Sequence, residues 1–456
     1  MIGDRKMAAN IKTLTEGKPA KLIFSFALPL MIGNVFQQLY TVVDTMVVGQ
    51  VLGVNALAAL GASDWMNWMM LGIVQGFAQG FSILMAQEFG AGNIQRLKKV
   101  VGNSLILAVI SAILLLIMGE AIALPVLRLL QTPDAIIGQS LLYLRIMFAG
   151  IPVVMAYNLL ASIIRALGDG KTPLHAMIVA AVINIVLDII FVMFFGWGVA
   201  GAAIATVIAQ FCSSVYCYLH IRKIDILSLG KEDYRLEKEL DKNLIFLGVP
   251  MALQNAIISI GGMIVQSVVN SFGVIFIAGF TATNKLYGVL EVAGISYGYA
   301  MITYVGQNLG AGKIDRIKKG MRSAMGIAFV TSVLIGICML VFGKLILGCF
   351  ISGTPDQIEQ TMKIAYHYLT IMSVFLPVLY VIHVFRAALQ GMGDTVLPMV
   401  SGIAEFVMRV GSAALLPILM GENGIFYAEV LAWAGADVIL VSSYTVRIRR
   451  LDKGQD

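Results

Sequence analysis

Charge is what this chain has least of. Only 13% of its 456 residues are Asp, Glu, Lys or Arg, against the roughly 25% with which a soluble domain covers its surface. A water-facing globular enzyme of this length does not fit. Cysteine is nearly absent too: Cys212, Cys217, Cys338 and Cys349 are the whole set, with no CxxC pair among them. That argues against a zinc site and leaves the four as small apolar packing residues. Also missing are a Walker sequence, a Gly-rich loop behind a strand and any nucleophile–base arrangement. ATP is therefore not the expected energy source, and catalysis is not the expected activity.

What fills the chain is apolar. Hydrophobic residues make up 59% of it, and the mean hydropathy is +0.87. Stretches of about 20 or more mainly apolar residues, the length that crosses a bilayer, recur throughout. Twelve spans are expected, over residues 22–48, 57–86, 100–119, 138–164, 174–196, 199–221, 244–270, 277–305, 321–342, 364–389, 396–417 and 424–446. Lipid offers the backbone no hydrogen bonds, so each should be a helix. The fold class is all-α integral membrane. The first stretch is too long for the h-region of a cleaved signal peptide and is expected to remain as a span.

The net charge of +6 would suit nucleic acid, but its placement points elsewhere. Basic residues gather at Arg5 to Lys21, Arg96 to Lys99, Arg165 and Lys171, Arg222 to Lys242, Lys313 to Arg322, Arg386, and Arg447 to Lys453, at the termini or beside alternate loops. Only Arg128, Lys344 and Lys363 fall in the other loops, while Arg145, Lys285 and Arg409 lie within spans. This asymmetry expects both termini in the cytoplasm. No nucleic-acid partner is expected.

The chain also repeats itself. Gln87-Glu88-Phe89-Gly90-Ala91-Gly92-Asn93-Ile94-Gln95-Arg96-Leu97-Lys98-Lys99 returns 220 positions later as Gln307-Asn308-Leu309-Gly310-Ala311-Gly312-Lys313-Ile314-Asp315-Arg316-Ile317-Lys318-Lys319. Leu28-Pro29 and Asn34 match Val249-Pro250 and Asn255; Gly168-Asp169 with Pro173 matches Gly393-Asp394 with Pro398. Three matches in the same order imply a duplication. The expected domains are a six-helix lobe over 1–225, a solvated cytoplasmic linker over 226–243 and a second six-helix lobe over 244–456. An even number of spans per half implies pseudo-two-fold symmetry about the membrane normal, as in transporters that bind between or within their repeats.

The Pro29…Gln37-Gln38…Asp44 pattern, the Gly90-Ala91-Gly92 loop, the Gly168-Asp169 turn and Asn184-x3-Asp188 together resemble the multidrug and toxic compound extrusion (MATE) family, nearest its DinF-like and MepA-like bacterial branch. The resemblance covers essentially the whole chain. It implies a two-lobed bundle that exports amphipathic, often cationic compounds in exchange for H+ or Na+, with no other cofactor. It also implies a cation site at Asp44, Asn184, Asp188 and Thr206, with Asn158 a looser match, and a first helix that bends at Pro29. The chain departs from the NorM-like branch, whose acidic cation ligands lie in spans seven and ten; those spans here contain no Asp or Glu.

The residues support such a site independently. Carboxylates within a membrane are costly and tend to mark ion pathways. Asp44 is in the outer half of span one and Asp188 just outside the middle of span five, with Asn184 one turn before it on the same face. Two neighbouring carboxylates repel in low dielectric and invite a proton, and oxygen ligands from Asp, Asn and Thr also suit Na+. For the substrate cavity the candidates are Gln37, Gln38, Tyr40, Asp64 and Trp68, with Trp65 and Asn67 beside them, because aromatic faces near carboxylates hold lipophilic cations. Glu291 in span eight could bind a cationic substrate or a second ion. Glu405 and Arg409, four apart in span eleven, are expected to form a structural ion pair. His367 and His383 read as packing residues, and Glu429 and Asp437 have no assigned role. The remaining alternatives are a lipid-linked oligosaccharide flippase and a membrane enzyme. The expected partners are small amphipathic molecules and the bilayer, and the chain is expected to act as a monomer.

Overall fold

A computed structural model describes residues 12–351 and 354–454; Arg5 and Lys6 of the first basic group lie outside them. Among the described residues every regular element is helical. In chain order these are α1 Pro19–Leu52, α2 Val54–Gly90, α3 Ile94–Leu129, α4 Asp134–Ala149, α5 Ile151–Ala166, α6 Lys171–Asp188, α7 Gly198–Ile221, α8 Lys238–Val269, α9 Val274–Gly310, α10 Ile314–Gly348, α11 Pro355–Val374, α12 Leu376–Gly391, α13 Val396–Met420 and α14 Phe426–Asp452.

Fourteen helices account for twelve spans because two spans are broken. α4 and α5 meet at 46°, and α11 and α12 at 48°. Pro152 and Pro377 each stand in the first turn of the second segment, where a missing N–H costs nothing but the preceding helix cannot run straight on. Spans four and ten were expected as single helices; each is instead bent at the same relative place. Of the rest, α6 continues from Asp188 directly into a π-helix, Ile189–Phe194.

The outward faces are apolar. On α3, Val109, Ile110, Ile113, Leu114 and Ile117 are all exposed, as a helix bordered by lipid tails would be.

The chain forms two compact units. One holds Leu28–Ala256 with the segment Gly306–Gly312 and the described residues 12–15; the other holds Glu16–Ala27, Ile257–Val305 and the chain from Lys313 onward. In the first unit, Asn255 donates from Nδ2 to the Gly72 carbonyl at 2.7 Å. The two copies of the Gly-Ala-Gly loop meet here reciprocally. A Cβ on Gly90 would overlap the Gln307 carbonyl, and one on Gly310 would overlap the Gln87 carbonyl. Glycine at both positions is what lets the helix ends touch. Gln307 also accepts the Leu14 N–H at 2.7 Å and donates to Ala166 O at 2.8 Å.

The duplicated Gly-Asp turn performs one job twice. Gly168 and Gly393 have φ of 81° and 85°. Asp169 then accepts the N–H groups of Lys171 and Thr172, and Asp394 that of Leu397, so each caps the next helix.

The segment after α7 is mostly exposed, as a solvated linker is, and α3 also ties it down. Buried Asn103 donates to Asp233 O and Arg235 O, both at 3.2 Å, and accepts the Glu237 N–H at 3.2 Å. Lys99 pairs with Glu237 at 2.6 Å, and Ile224 and Leu227 are buried.

In the second unit, α9 carries a ladder of tyrosine contacts. Tyr297 OH lies 2.8 Å from Thr331 Oγ1, Tyr304 OH donates to Arg316 O at 3.0 Å, and Tyr380 OH of α12 donates to Leu290 O at 2.8 Å. Phe280, Tyr368, Phe426 and Phe276 stack in series at 4.8–5.4 Å.

Candidate functional site

In the first unit, steps of three and four along α1 put Gln37, Tyr40 and Asp44 on one face; Gln38 stands about 100° around from Gln37. α6 supplies Asn184 and Asp188 one turn apart. All three of the deeper polar residues are buried: Asp44 is 8% exposed, Asn184 1% and Asp188 0%. Asp44 and Asp188 lie within electrostatic reach of one another. Asn184 Nδ2 donates to Thr206 Oγ1 of α7 at 3.3 Å. Both oxygens of Asp188, Oδ1 of Asp44 and Oδ1 of Asn184 have no hydrogen-bond partner among the described residues, and neither aspartate forms an ion pair there. Four oxygens thus remain available around two buried acids, a donor set that suits a proton or a hard cation.

Two side chains that sequence reasoning passed over complete the setting. Tyr143 of α4 is in electrostatic reach of Asp44, Asp64, Tyr40 and Asp188. Gln210 of α7 shares a hydrogen bond with the Tyr40 hydroxyl, as does Gln37. A signal for Gln210 was present: it sits one turn beyond Thr206, on the same helix face. None pointed to Tyr143 or to the π-helix that begins directly after Asp188, a feature often found at functional positions.

Other candidates land elsewhere. Asn158 Nδ2 turns back to Val154 O of its own helix at 2.9 Å. Asp64 and Trp68 are exposed, Trp68 at 54%, while Ser63 and Met66 fill the buried face of α2; Asp64 still lies in electrostatic reach of Asp44. α1 runs through Pro29 without a break.

The second unit contains its own charged cluster. Glu405 accepts from Arg409 at 2.7 Å and from Arg386 at 2.8 Å, and Arg409 also lies 2.9 Å from Glu429. The pair anticipated at Glu405 and Arg409 is therefore the middle of a four-membered chain that balances two positive charges against two negative. Arg386, grouped with the charges beside a loop, stands within α12 near its end and is 13% exposed, its guanidinium turned to Glu405. Glu291 has His383 as its partner, 3.3 Å away. Asp437 is in electrostatic reach of Arg386 and Glu405, and His367 packs edge-on against Phe426 at 5.5 Å.

A twelve-span, two-lobed, all-helical membrane protein with buried acids in each half is the class these features define. A family model described as MatE matches residues 29–190 and 250–415, one stretch in each half. The chain belongs to that family of multidrug efflux transporters. It is 30% identical over 369 residues to the probable multidrug resistance protein YoeA of Bacillus subtilis (strain 168), covering 79% of each chain. It is also 30% identical over 413 residues to the probable multidrug resistance protein YpnP of the same organism, covering 90% of this chain and 91% of the other. Among solved structures, a MOP superfamily transporter from Pyrococcus furiosus Vc1 superposes with a TM-score of 0.91 at 24% identity, over 98% of this chain and all of that one.

Proposed function

We propose that the protein is a cation-coupled antiporter of a bacterial plasma membrane, with both termini cytoplasmic, exporting amphipathic and often cationic compounds by alternating access. The observation that carries this reading is the Asp44–Asp188 pair: two buried carboxylates in mutual reach, with free oxygens and no basic partner among the described residues. Bare charge is expensive at that depth, so a proton or Na+ entering the pair changes the energy of the lobe. Asn184 and Thr206 position the pair, with Asn158 the looser candidate. Gln37 and Tyr40, on the face of Asp44, are the substrate contacts of this reading, with Gln38, Asp64 and Trp68 beside them. The flippase reading gains nothing from the relatives named above, neither of which is described that way.

Drug efflux from proteoliposomes under an imposed pH or Na+ gradient tests this. Each coupled charge is worth about 2.3 kcal/mol per 100 mV, about a fifty-fold concentration ratio. Asp44→Asn and Asp188→Asn should each abolish that gain. Coupled efflux at the parent's rate in both variants would overturn the assigned site.

A further inference from the structure

We propose that His383 and a lipophilic cation compete for the carboxylate of Glu291, making this pair a second point at which proton and substrate exchange. The inference rests on the transporter reading above and deepens it.

The charge chain of the second unit is closed on itself: each of Glu405 and Glu429 has an arginine, and each arginine a carboxylate. Glu291 has none. Its side chain is also the more open, 27% exposed against 5% for Glu405. Among the described residues its ion-pair partner is the imidazole, and although His383 Nε2 lies 3.3 Å away, the two are not aligned as a hydrogen bond. The imidazole is nonetheless held in place. One turn beyond Glu291 on α9 stands Gly294, and a Cβ there would come within 2.7 Å of the His383 ring. The glycine leaves a notch that the ring fills.

Beside the carboxylate, Tyr287 lies one turn earlier on α9 and stacks at 6.2 Å on the fully buried Trp433. A carboxylate next to a supported ring face is the pair of features that holds an organic cation. Glu405 of α13 is also in electrostatic reach of His383, and it is held by Arg386 of α12 and Arg409. Around that cluster α14 brings Glu429 to Arg409 and Asp437 within reach of Arg386 and Glu405, α11 brings Tyr368 within reach of Arg409 and Glu429, and Tyr380 of α12 lies within reach of Glu291. The charged residues of α10 lie only at its ends, over 315–322 and at 344.

Imidazole is the side chain whose charge ordinarily changes between about pH 5 and 8. Charged, it neutralises Glu291 and leaves a cation nothing to pair with. When the cation takes Glu291, the imidazolium loses its stabilising partner and releases its proton to solvent. Charge at the site is unchanged, one cation having replaced one proton. Acid outside therefore expels substrate.

The test is equilibrium dialysis of radiolabelled tetraphenylphosphonium against the full chain in detergent, from pH 5.5 to 8, in protein carrying Asp44→Asn and Asp188→Asn so that the first unit does not contribute. Affinity should weaken by up to about tenfold per pH unit on acidification, with proton release to an unbuffered solution on binding. His383→Asn should bind with an affinity that is flat in pH, and Glu291→Gln should bind at least tenfold more weakly. A pH dependence unchanged in His383→Asn, or binding unchanged in Glu291→Gln, would overturn the proposal. If His383→Asn does not yield monodisperse protein, proton release decides: its absence while ligand binds overturns the competition. No binding at any pH overturns it as well. Absence of gradient-driven efflux by the parent chain, with pH-linked binding intact in the variant, would instead count against the antiport reading alone.

Discussion

A buried charge is costly without a partner. The second unit supplies Glu405 and Glu429 with arginines, and the first leaves Asp44 and Asp188 without an ion pair among the described residues. In the second unit Arg409 serves Glu405 and Glu429 together. Arg409→Ala should therefore destabilise by about 3–5 kcal/mol, the range for stranding a buried charge. Adding Glu405→Gln should recover part of the loss, because the two effects share a network; thermal unfolding in detergent measures both. In the first unit Thr206→Val removes the acceptor for Asn184 Nδ2. We expect a loss of about 1 kcal/mol and a lower apparent affinity for the coupling ion in the efflux assay, with the maximal rate less affected. At this scale the sequence was legible where chemistry is rare. An aspartate in a 20-residue apolar run announces itself, and Asn184-x3-Asp188 fixes a shared face. Arg386 falls within the expected tenth span, but its role was not legible, since its partner Glu405 stands on another helix and only packing joins them. Tyr143 could not be read at all, since tyrosine is common here and only tertiary packing brings it to Asp44.

Helices were visible in outline and their breaks were not. The apolar runs carry no mark at Gly150 or Phe375; Pro152 and Pro377 could equally have been span entries, and packing decides that each opens a second segment. The strap over 222–237 was hidden for a different reason. Its composition is that of a solvated tether, and the three hydrogen bonds that pin it come from one asparagine on another element. Asn103→Ala should release it. Limited proteolysis would then cleave between Arg222 and Lys238 several-fold faster than in the parent, with the helices left intact. The Gly90 and Gly310 contact makes a sharper demand. Either glycine changed to alanine forces a methyl against a backbone carbonyl, and overpacking costs about 1–3 kcal/mol. Because each change spreads the same contact, the double variant should lose less than the two single losses together, as melting temperatures would show.

For the molecule as a whole, two related halves and the uneven spread of Lys and Arg carried the architecture before any coordinates. The spread also gives a direct topological check. Cys349 is exposed and follows α10, between spans nine and ten, so in a chain lacking the other three cysteines a membrane-impermeant maleimide should label it in intact cells. A cysteine placed at Ser228 should react only after lysis. The duplication has a further consequence at the crossing of the two Gly-Ala-Gly loops. In a symmetric dimer of half-length chains such a crossing would be self-complementary, and any mutation would strike it twice. Within one polypeptide the copies vary separately, and the position after each glutamine records the divergence. Glu88 reaches outward to Arg96 at 3.0 Å, while Asn308 donates to Leu14 O at 3.2 Å and holds the leading segment of the chain. One inherited position has become two parts, an anchor for a loop and a clasp for a terminus.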